Sequence, residues 1–392
     1  MIILFILVLA VSAGITAQAA ESRDEKMVKR SLVRLGDTTR LERVMRKSLN
    51  GEKIIIGVLG GSITEGALAT SHDKRWANQV AQWWREQFPK AEVELINAGI
   101  GATGSAIGSH RAYMNLLHHR PDFIIVEYSV NDRNDPLATE CMEGIIRQAL
   151  SLVNQPAVMQ LFMCGGDCTS EQDEHEKVGR YYHLPMVSFR DAVAPEFKSG
   201  RIASTDIIPD YVHPNDTGHK LCARFITNAL ERVREKVLNN SEESLYIKPV
   251  SAPLVNDIFE HTALLMPSTC KPKSKAGWSL VKLWHFGKAW ESADPGSVIE
   301  FEVDCDTVGV IFYRAKNMGM VECRVDDHDP VRLDACFVAN WGGYAQYALV
   351  ARGLGAGKHT VQIQLLDQKS EKSNGNRFVV LAVACAGMHQ AH

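Results

Sequence analysis

The segment IIIGVLGGSIT, residues 54–64, places a serine where it could do chemistry. A run of apolar and β-branched residues ends in Gly60 and Gly61 and is followed by Ser62, which is typical of a buried strand that delivers a small hydroxyl into a tight turn. A side chain at either glycine would obstruct the turn and the approach of a substrate. Nucleotide-binding turns and plain β-turns share this pattern, so Ser62 is a candidate nucleophile that needs partners.

The segment PDYVHPND, residues 209–216, supplies those partners. A serine hydroxyl is a weak nucleophile until a neighbouring imidazole accepts its proton, and a carboxylate holds the imidazole in the required tautomer. We therefore predict that His213 acts as the base and that Asp210 orients it. The alternative interpretation is a solvated pair of surface residues.

Two further loops carry groups that could stabilise the negative charge of an acyl-transfer intermediate. NAGIGATGS, residues 97–105, is rich in small residues, and SVND places Asn131 after a strand. Donors fixed around a developing oxyanion contribute roughly 3–4 kcal/mol each. The predicted backbone donors are the N–H groups of Ser62 and of Gly101 or Ala102, with Gly101 preferred, and the side-chain amide of Asn131 is the third donor. The alternatives are loop flexibility for the glycines and a turn or cap for Asn131.

The elements that must position these residues form a regular series of apolar runs and helical stretches. Short, fully apolar strands separated by helices predict a parallel sheet covered on both faces, which is a three-layer α/β sandwich. Ligands bind such sheets outside the carboxyl ends of the strands, and all four segments fall there. The predicted strands are residues 54–59, 93–96, 123–126, 158–163 and 186–189, and the predicted helices lie near residues 75–88, 105–119, 138–153, 171–183 and 217–238.

The chain beyond residue 253 is predicted to consist almost entirely of strands. Residues 240–253 are polar and contain proline, as a linker would, and residues 254–392 have the strand and turn spacing of an antiparallel, jelly-roll-like β-sandwich. Aromatic residues of this region could stack on sugar rings, although core packing is the commoner role of tryptophan. They include Trp278, Trp284, Trp290, Trp341, Tyr344 and Tyr347. The predicted strands are residues 298–303, 308–313, 321–325, 344–350, 359–365 and 378–384.

The N-terminus differs in composition from the rest of the 392-residue chain. Residues 1–19 are mostly apolar and end in Ala17-Gln18-Ala19, which predicts a cleaved signal peptide and a secreted or periplasmic protein without stable membrane association. No Lys or Arg precedes the apolar run, so an uncleaved membrane anchor is the alternative. Residues 20–50 are charged and helix-compatible, and we interpret them as a lead-in arm ahead of a catalytic domain spanning residues 51–239.

Composition argues against several other roles. A net charge of −3 and a pI near 6.5 give no basic excess for binding nucleic acid. Nine cysteines are an odd number without a dense disulfide framework, and Cys164 and Cys168 could either bridge a short loop or remain two thiols. No histidine stands at zinc-like spacing from them, so we expect no metal and no cofactor.

The four segments resemble the sequence blocks of the SGNH hydrolases, also called GDSL-type esterases. The blocks are GGSIT at Ser62, NAGIGA around Gly101, SVND at Asn131, and DYVHP at Asp210 and His213, in the family order over about residues 52–240. The resemblance implies a flavodoxin-like α/β/α fold and metal-free ester hydrolysis through an acyl-enzyme. Ala102 and Ser129 stand where the family usually has glycine, and Ala102 leaves the identity of the second oxyanion donor open.

We therefore expect a secreted serine esterase that hydrolyses small acyl esters, such as O-acetyl groups, on a carbohydrate. An esterase domain joined to a β-sandwich is similar to several carbohydrate esterases, which implies an acylated glycan as substrate. A lipid or aryl esterase, or a thioesterase, could use the same residues and would have an apolar groove around the site. A shallow polar cleft lined by aromatic residues of the β-sandwich would favour sugar. Outside the enzymes, the alternative is a catalytically inactive glycan-binding protein.

Overall fold

A computed structural model describes residues 22–239, 246–283 and 287–388 of the chain. The first part is an α/β region around one six-stranded sheet. Its strands are β1 (Leu32–Arg34), β2 (Ile54–Gly60), β3 (Val93–Gly99), β4 (Phe123–Glu127), β5 (Ala157–Phe162) and β6 (Met186–Ser188). Its helices are α1 (Arg23–Ser31), α2 (Thr39–Leu49), α3 (Ser62–Glu65), α4 (Trp76–Gln87), α5 (Ser105–Asn115), α6 (Ala138–Leu150), α7 (Gln172–Tyr181), α8 (Phe189–Lys198) and α9 (Asp216–Asn239).

The sheet is parallel except at one edge. Its strand order is β1-β6-β5-β4-β2-β3, and β1 runs antiparallel to β6. Counted along the chain, the five parallel strands have the order 2-1-3-4-5 of flavodoxin-like folds. The predicted parallel α/β sheet is therefore confirmed. In this order the topological switch point, where ligands bind, lies at the carboxyl ends of β2 and β4.

Helices cover both faces of the sheet because its central strands are apolar throughout. All five residues of β4 and all six of β5 are buried, as expected for strands with helices on each side. One apolar core joins the sheet to α1, α2, α4, α8 and α9 and contains Trp76 and Trp84. A second core joins it to α5, α6 and α7 and contains Ile145 and Val178.

Residues 23–49, within the segment interpreted as a lead-in arm, form α1, β1 and α2. Leu41 and Met45 of α2 are buried in the first core, and Leu32 of β1 pairs with Val187 of β6. The short antiparallel strand β1 therefore covers one edge of the parallel sheet. The predicted signal peptide, residues 1–19, lies outside the described residues.

The C-terminal region consists of antiparallel strands. They are β7 (Thr262–Leu265), β8 (Ser274–Ala276), β9 (Ser279–Leu283), β10 (Gly287–Ser292), β11 (Val298–Val303), β12 (Cys305–Arg314), β13 (Met320–Val325), β14 (Val331–Asp334), β15 (Tyr344–Ala351), β16 (His359–Leu365) and β17 (Phe378–Met388). One sheet has the order β15-β12-β17-β10-β9, with β7 paired to β17, and the other has the order β14-β13-β16-β11-β8. Both sheets contribute to one apolar core that includes Phe301 and Phe378. The predicted β-sandwich is confirmed.

The β region packs directly on helices α5 and α6. Ala106, Ile107 and Cys141 belong to the same apolar core as the sandwich. Gly144 of α6 approaches Phe259 so closely that a β-carbon on it would lie 2.4 Å from the Phe259 Cβ. Because α5 begins just after the loop that follows β3, this packing brings the β region to the carboxyl edge of the parallel sheet.

Candidate active site

Ser62 lies at the switch point of the sheet, as the first residue of the one-turn helix α3 after β2. The glycines before it are required by close contacts. A β-carbon on Gly60 would lie 2.5 Å from the carbonyl oxygen of Glu127, and one on Gly61 would lie 2.1 Å from Oδ1 of Asn131. The glycine pair therefore lets the turn that carries Ser62 approach the end of β4.

Ser62, His213 and Asp210 form a continuous chain of hydrogen bonds. Oγ of Ser62 lies 2.8 Å from Nε2 of His213, and Nδ1 of His213 lies 2.7 Å from Oδ2 of Asp210. When Nδ1 carries the proton and donates it to Asp210, Nε2 is free to accept from the serine hydroxyl. Two segments that are 151 residues apart in the chain thus meet in the geometry required to activate a serine.

The backbone also holds the Asp210 carboxylate in place. Its Oδ1 accepts hydrogen bonds from the N–H groups of Val212 at 3.0 Å and His213 at 2.7 Å. Partial burial raises the pKa of Asp210, but the hydrogen bonds from His213 and Val212 outweigh it and leave the pKa below its ordinary value. Tyr211 has a φ of +66°, which forms the tight turn between Asp210 and His213. The carboxylate is therefore ionised where it faces the imidazole.

The hydrogen bonds of the loop after β3 disagree with the sequence-based preference for Gly101 as an oxyanion donor. The Gly101 N–H donates to Oε2 of Glu65 at 2.8 Å, so this donor is already engaged by a carboxylate. The next N–H, that of Ala102, donates to no protein group among the described residues. Ala102 has a φ of +54°, a conformation that glycine adopts more readily than alanine. This conformation explains why glycine is usual at its position in the sequence pattern.

Asn131 reaches the same place from the end of β4. Its Oδ1 is adjacent to Gly61. The next residue, Asp132, is fully buried, accepts a hydrogen bond from the Ser105 N–H at 2.7 Å and contacts Nε2 of His175 at 3.0 Å. These contacts fix the loop that bears Asn131 to the start of α5 and to α7.

Glu127 is a buried carboxyl next to the helix that carries Ser62. Its side chain accepts hydrogen bonds from Oγ of Ser129 at 3.2 Å and from Oγ1 of Thr64 at 3.4 Å. Burial raises the pKa of Glu127 to about 7, the hydrogen bond from Ser129 offsets only part of this rise, and the nearby charge of Asp132 adds to it. Glu127, with a pKa near neutral, is therefore hydrogen-bonded to α3, the helix that begins with Ser62.

Sequence reasoning missed the residues that hold these loops. Glu65 stands one helical turn after Ser62 and Asp132 directly follows Asn131, so an acidic residue at each of these positions was an available signal. Nothing in the sequence marks His175, because it reaches Asp132 only through the tertiary packing of α7.

A cleft of about 300 Å³ lies beside Ala102 and Asn131. Its other lining residues include Asp135 from the α/β region and Phe337, Trp341, Tyr344 and Gln346 from the β region. Trp341 is 62% exposed, and Phe337 packs edge-on against both Trp341 and Tyr344. Arg314 donates to the hydroxyl of Tyr344 at 2.9 Å. The cleft thus has two candidate oxyanion residues, Ala102 and Asn131, on one side and aromatic side chains of the β region on the other.

The other aromatic residues predicted as stacking candidates have different surroundings. Trp278 and Trp290 are buried in the sandwich core and Tyr347 is nearly buried, whereas Trp284 lies outside the described residues. Among the rings of this set that the structure describes, Trp341 and Tyr344 have accessible surface at the cleft.

Three further findings concern metal binding, membrane spans and cysteines. The described residues hold no group of three or more His, Cys, Asp or Glu side chains that could bind a metal ion. Within the same ranges, no helix combines the length and the apolar character of a membrane span. All nine cysteines are free thiols, so Cys164 and Cys168 form two thiols and not a bridge.

Known proteins resemble both one region and the whole chain. The model of the GDSL-like Lipase/Acylhydrolase family matches residues 58–221. A crystal structure of a two-domain esterase (CEX) active on acetylated mannans is 30% identical, with a TM-score of 0.85, over 93% of this chain and 99% of that chain. A second crystal structure of a two-domain esterase (CEX) active on acetylated mannans, co-crystallized with mannopentaose, is also 30% identical, with a TM-score of 0.84 over 93% of this chain and 99% of that chain. No curated protein matches the chain.

Proposed function

The chain belongs to the GDSL-like lipase/acylhydrolase family and is a carboxylic ester hydrolase, and on this basis we propose that it is a secreted serine esterase that removes small acyl groups, in particular O-acetyl groups, from a carbohydrate. The observation that carries the proposal is the chain of hydrogen bonds from Ser62 through His213 to Asp210. This arrangement can raise the nucleophilicity of a serine at neutral pH.

In the first half of the reaction, Ser62 attacks the carbonyl carbon of the ester. Its hydroxyl proton passes to Nε2 of His213, and Asp210 stabilises the imidazolium that forms. When the tetrahedral intermediate collapses, the bond to the sugar oxygen breaks and His213 gives its proton to the departing alcohol. The acyl group remains on Ser62 as an ester.

In the second half, water repeats the attack on the acyl-enzyme. His213 accepts a proton from the water, and collapse of the second intermediate returns a proton to Oγ of Ser62 and releases the carboxylic acid. Each intermediate carries negative charge on the former carbonyl oxygen, and we assign its donors as the N–H groups of Ser62 and Ala102 and the amide of Asn131. Ala102 takes the place of Gly101 because the Gly101 N–H is bound to a carboxylate.

Two observations support a carbohydrate substrate. The cleft beside the proposed oxyanion donors is lined by Trp341 and Tyr344 together with the polar side chains of Asp135 and Gln346, and aromatic faces can stack on sugar rings. A long acyl chain would need a predominantly apolar groove instead. The resemblance to a two-domain esterase active on acetylated mannans extends over nearly the whole chain, so acetylated mannan is the first substrate to test.

The proposal assigns a separate role to each region of the chain. Residues 51–239 would form the catalytic domain, residues 240–253 a linker and residues 254–392 an accessory β-sandwich that contributes one wall of the cleft. Residues 20–50 would complete the catalytic domain through α1, β1 and α2. The apolar composition of residues 1–19 supports export to the periplasm or the cell exterior.

Acetate release from acetylated mannan, xylan and pectin, measured beside hydrolysis of p-nitrophenyl acetate, tests this function. Wild-type protein is expected to release acetate from at least one glycan, and Ser62→Ala is expected to be inactive on all substrates. Equal activity of the two proteins would favour a glycan-binding protein with an inactive hydrolase region. Activity confined to long-chain or aryl esters would favour a lipid or aryl esterase.

Trp341→Ala tests the sugar-binding surface separately. The variant is expected to raise KM for the acetylated glycan about 5-fold, since the loss of one stacking contact is worth roughly 1 kcal/mol. Hydrolysis of p-nitrophenyl acetate, which is too small to span the cleft, should change by less than about 2-fold. Val338→Ala removes another exposed apolar side chain of this segment and should change neither substrate.

A further inference from the structure

We propose that Glu65 is a positioning residue that holds the oxyanion loop, residues 99–104, in the conformation in which the Ala102 N–H faces the reacting carbonyl. The inference rests on the proposed function, because it assigns a role within the same active site. Glu65 would act only through the loop, without contact to the substrate.

The geometry connects Glu65 to both the nucleophile and the loop. Ser62 and Glu65 are the first and last residues of α3, and the Glu65 N–H is bound to the carbonyl of Gly61 at 3.0 Å. Oε2 of Glu65 accepts the Gly101 N–H at 2.8 Å. A β-carbon on Gly101 would lie 3.1 Å from this oxygen and 3.8 Å from Cβ of Ser62. A single helical turn therefore sets the distance between the nucleophile and the loop.

The neighbouring residues of the loop are also fixed. The Gly99 N–H donates to Oδ1 of Asn97 at 2.9 Å, and the Ile100 N–H donates to the carbonyl of Gly60 at 3.1 Å. The loop is thus hydrogen-bonded at each residue from Gly99 to Gly101. Ala102 comes next, at the cleft, with an N–H that donates to no protein group in the described ranges.

Ala102 needs such a restraint because its backbone lies in the left-handed region, with a φ of +54°. For a residue other than glycine this conformation is unfavourable, and it persists where the surroundings impose it. The bond from Gly101 to Glu65 restrains the residue before Ala102, and Oγ1 of Thr103 restrains the residue after it by donating to the carbonyl of Ile100 at 2.7 Å. Loss of Glu65 would release one side and let the Ala102 N–H turn away from Ser62.

The negative charge of Glu65 and its hydrogen bond to Gly101 have opposite effects on a developing oxyanion. A carboxylate near a developing oxyanion opposes the charge that the oxyanion loop stabilises. Its benefit must therefore come from the hydrogen bond to Gly101, since charge-assisted hydrogen bonds are stronger than neutral ones. Glutamine at this position would keep the acceptor oxygen without the charge, so the two effects can be separated.

Glu65→Ala and Glu65→Gln in the full chain test the inference with p-nitrophenyl acetate and its thionoester analogue, in which sulfur replaces the carbonyl oxygen. Sulfur is a weak hydrogen-bond acceptor, so hydrolysis of the thionoester depends less on the oxyanion donors. We expect Glu65→Ala to lower kcat for the oxygen ester about 30-fold with little change in KM, and kcat for the thionoester less than about 3-fold. Glu65→Gln should restore most of the lost kcat.

Two further variants keep the test decisive. Glu65→Asp retains the charge but is one methylene shorter, so it should show the same selective loss if the alanine variant does not fold. Glu235→Ala removes an exposed glutamate of α9 and should change neither substrate. Equal losses on both esters, or an unchanged kcat in Glu65→Ala, would overturn the inference. Turnover in Ser62→Ala would instead contradict the proposed function itself, so the two failures are distinguishable.

Discussion

The two sides of the proposed active site are built in different ways. On one side, the proposed triad of Ser62, His213 and Asp210 consists of side chains in direct contact, and the Asp210 side chain remains 44% exposed. On the other side, the proposed oxyanion donors are mostly backbone groups, and partly or fully buried carboxyls such as Glu65 and Asp132 hold their loops. The first side depends on residue identity, whereas the second depends on backbone conformation. Substitutions should therefore affect the two sides through different kinetic and thermodynamic quantities.

Removing the imidazole gives the largest expected effect. His213→Ala should lower kcat for p-nitrophenyl acetate by about 10⁴-fold or more, because the serine loses its base. Asp210→Ala should retain at least roughly 10-fold more activity than His213→Ala, since orienting the imidazole contributes less than supplying it. Steady-state kinetics of both variants measure the difference. Equal and mild losses in the two variants would contradict the triad assignment.

The amide of Asn131 is expected to have the next largest effect. Asn131→Asp preserves the shape of the side chain but removes the N–H donor, so kcat should fall about 10²- to 10³-fold while KM changes little. Asn131→Ala should behave similarly, which would exclude charge repulsion by the aspartate as the sole cause. A rise in KM with unchanged kcat would place Asn131 in substrate binding instead of oxyanion stabilisation.

The buried carboxyl of Glu127 predicts a pH dependence of stability. Its pKa is raised from 4.5 to about 7 in the folded protein, so between these pH values the folded chain keeps a proton that the unfolded chain releases. The free energy of unfolding should therefore fall as pH rises from about 4.5 to 7, by up to about 3 kcal/mol. Glu127→Gln should remove this fall relative to wild type, measured by denaturant unfolding at several pH values. Parallel pH profiles of the two proteins would refute the assignment.

Ala102→Gly should have the smallest effect. Glycine relieves the left-handed strain but increases the entropy of the unfolded chain, so the free energy of unfolding should change by less than about 1 kcal/mol and kcat by less than about 2-fold. Ala102→Val, with a β-branched side chain that this backbone region disfavours, should lose roughly 10-fold in kcat. If valine is tolerated as well as glycine, the conformation of Ala102 does not control the oxyanion side.

The burial pattern of each element determines how well the fold can be predicted from sequence. The central parallel strands could be predicted because continuous burial keeps every residue apolar, as in β4 and β5. Residues 298–303 and 359–365 were predicted with the correct limits because buried and less buried positions alternate in β11 and β16. Strand β8 was missed because all three of its residues are exposed, and α8 was missed although it is a full helix, since it contains Pro195.

The site was predictable to a similar degree. The residues of the triad could be proposed because the chemistry of ester hydrolysis requires those side chains. The choice between Gly101 and Ala102 could not be made, because it depends on which N–H a carboxylate 36 residues earlier occupies. Local sequence does not encode that contact, which forms only when α3 and the oxyanion loop pack together.

Helix α5 has a consequence for how the protein can be divided. Its 11 residues, about 16 Å of rod, run from the oxyanion loop into the β region, where the ring of His110 lies 5.8 Å from that of Phe259 and 5.6 Å from that of Tyr347. A chain truncated near residue 253 would expose this apolar side of α5, the helix that directly follows the oxyanion loop. The sandwich therefore shares an apolar core with α5 and α6, and we expect a chain without it to lose turnover.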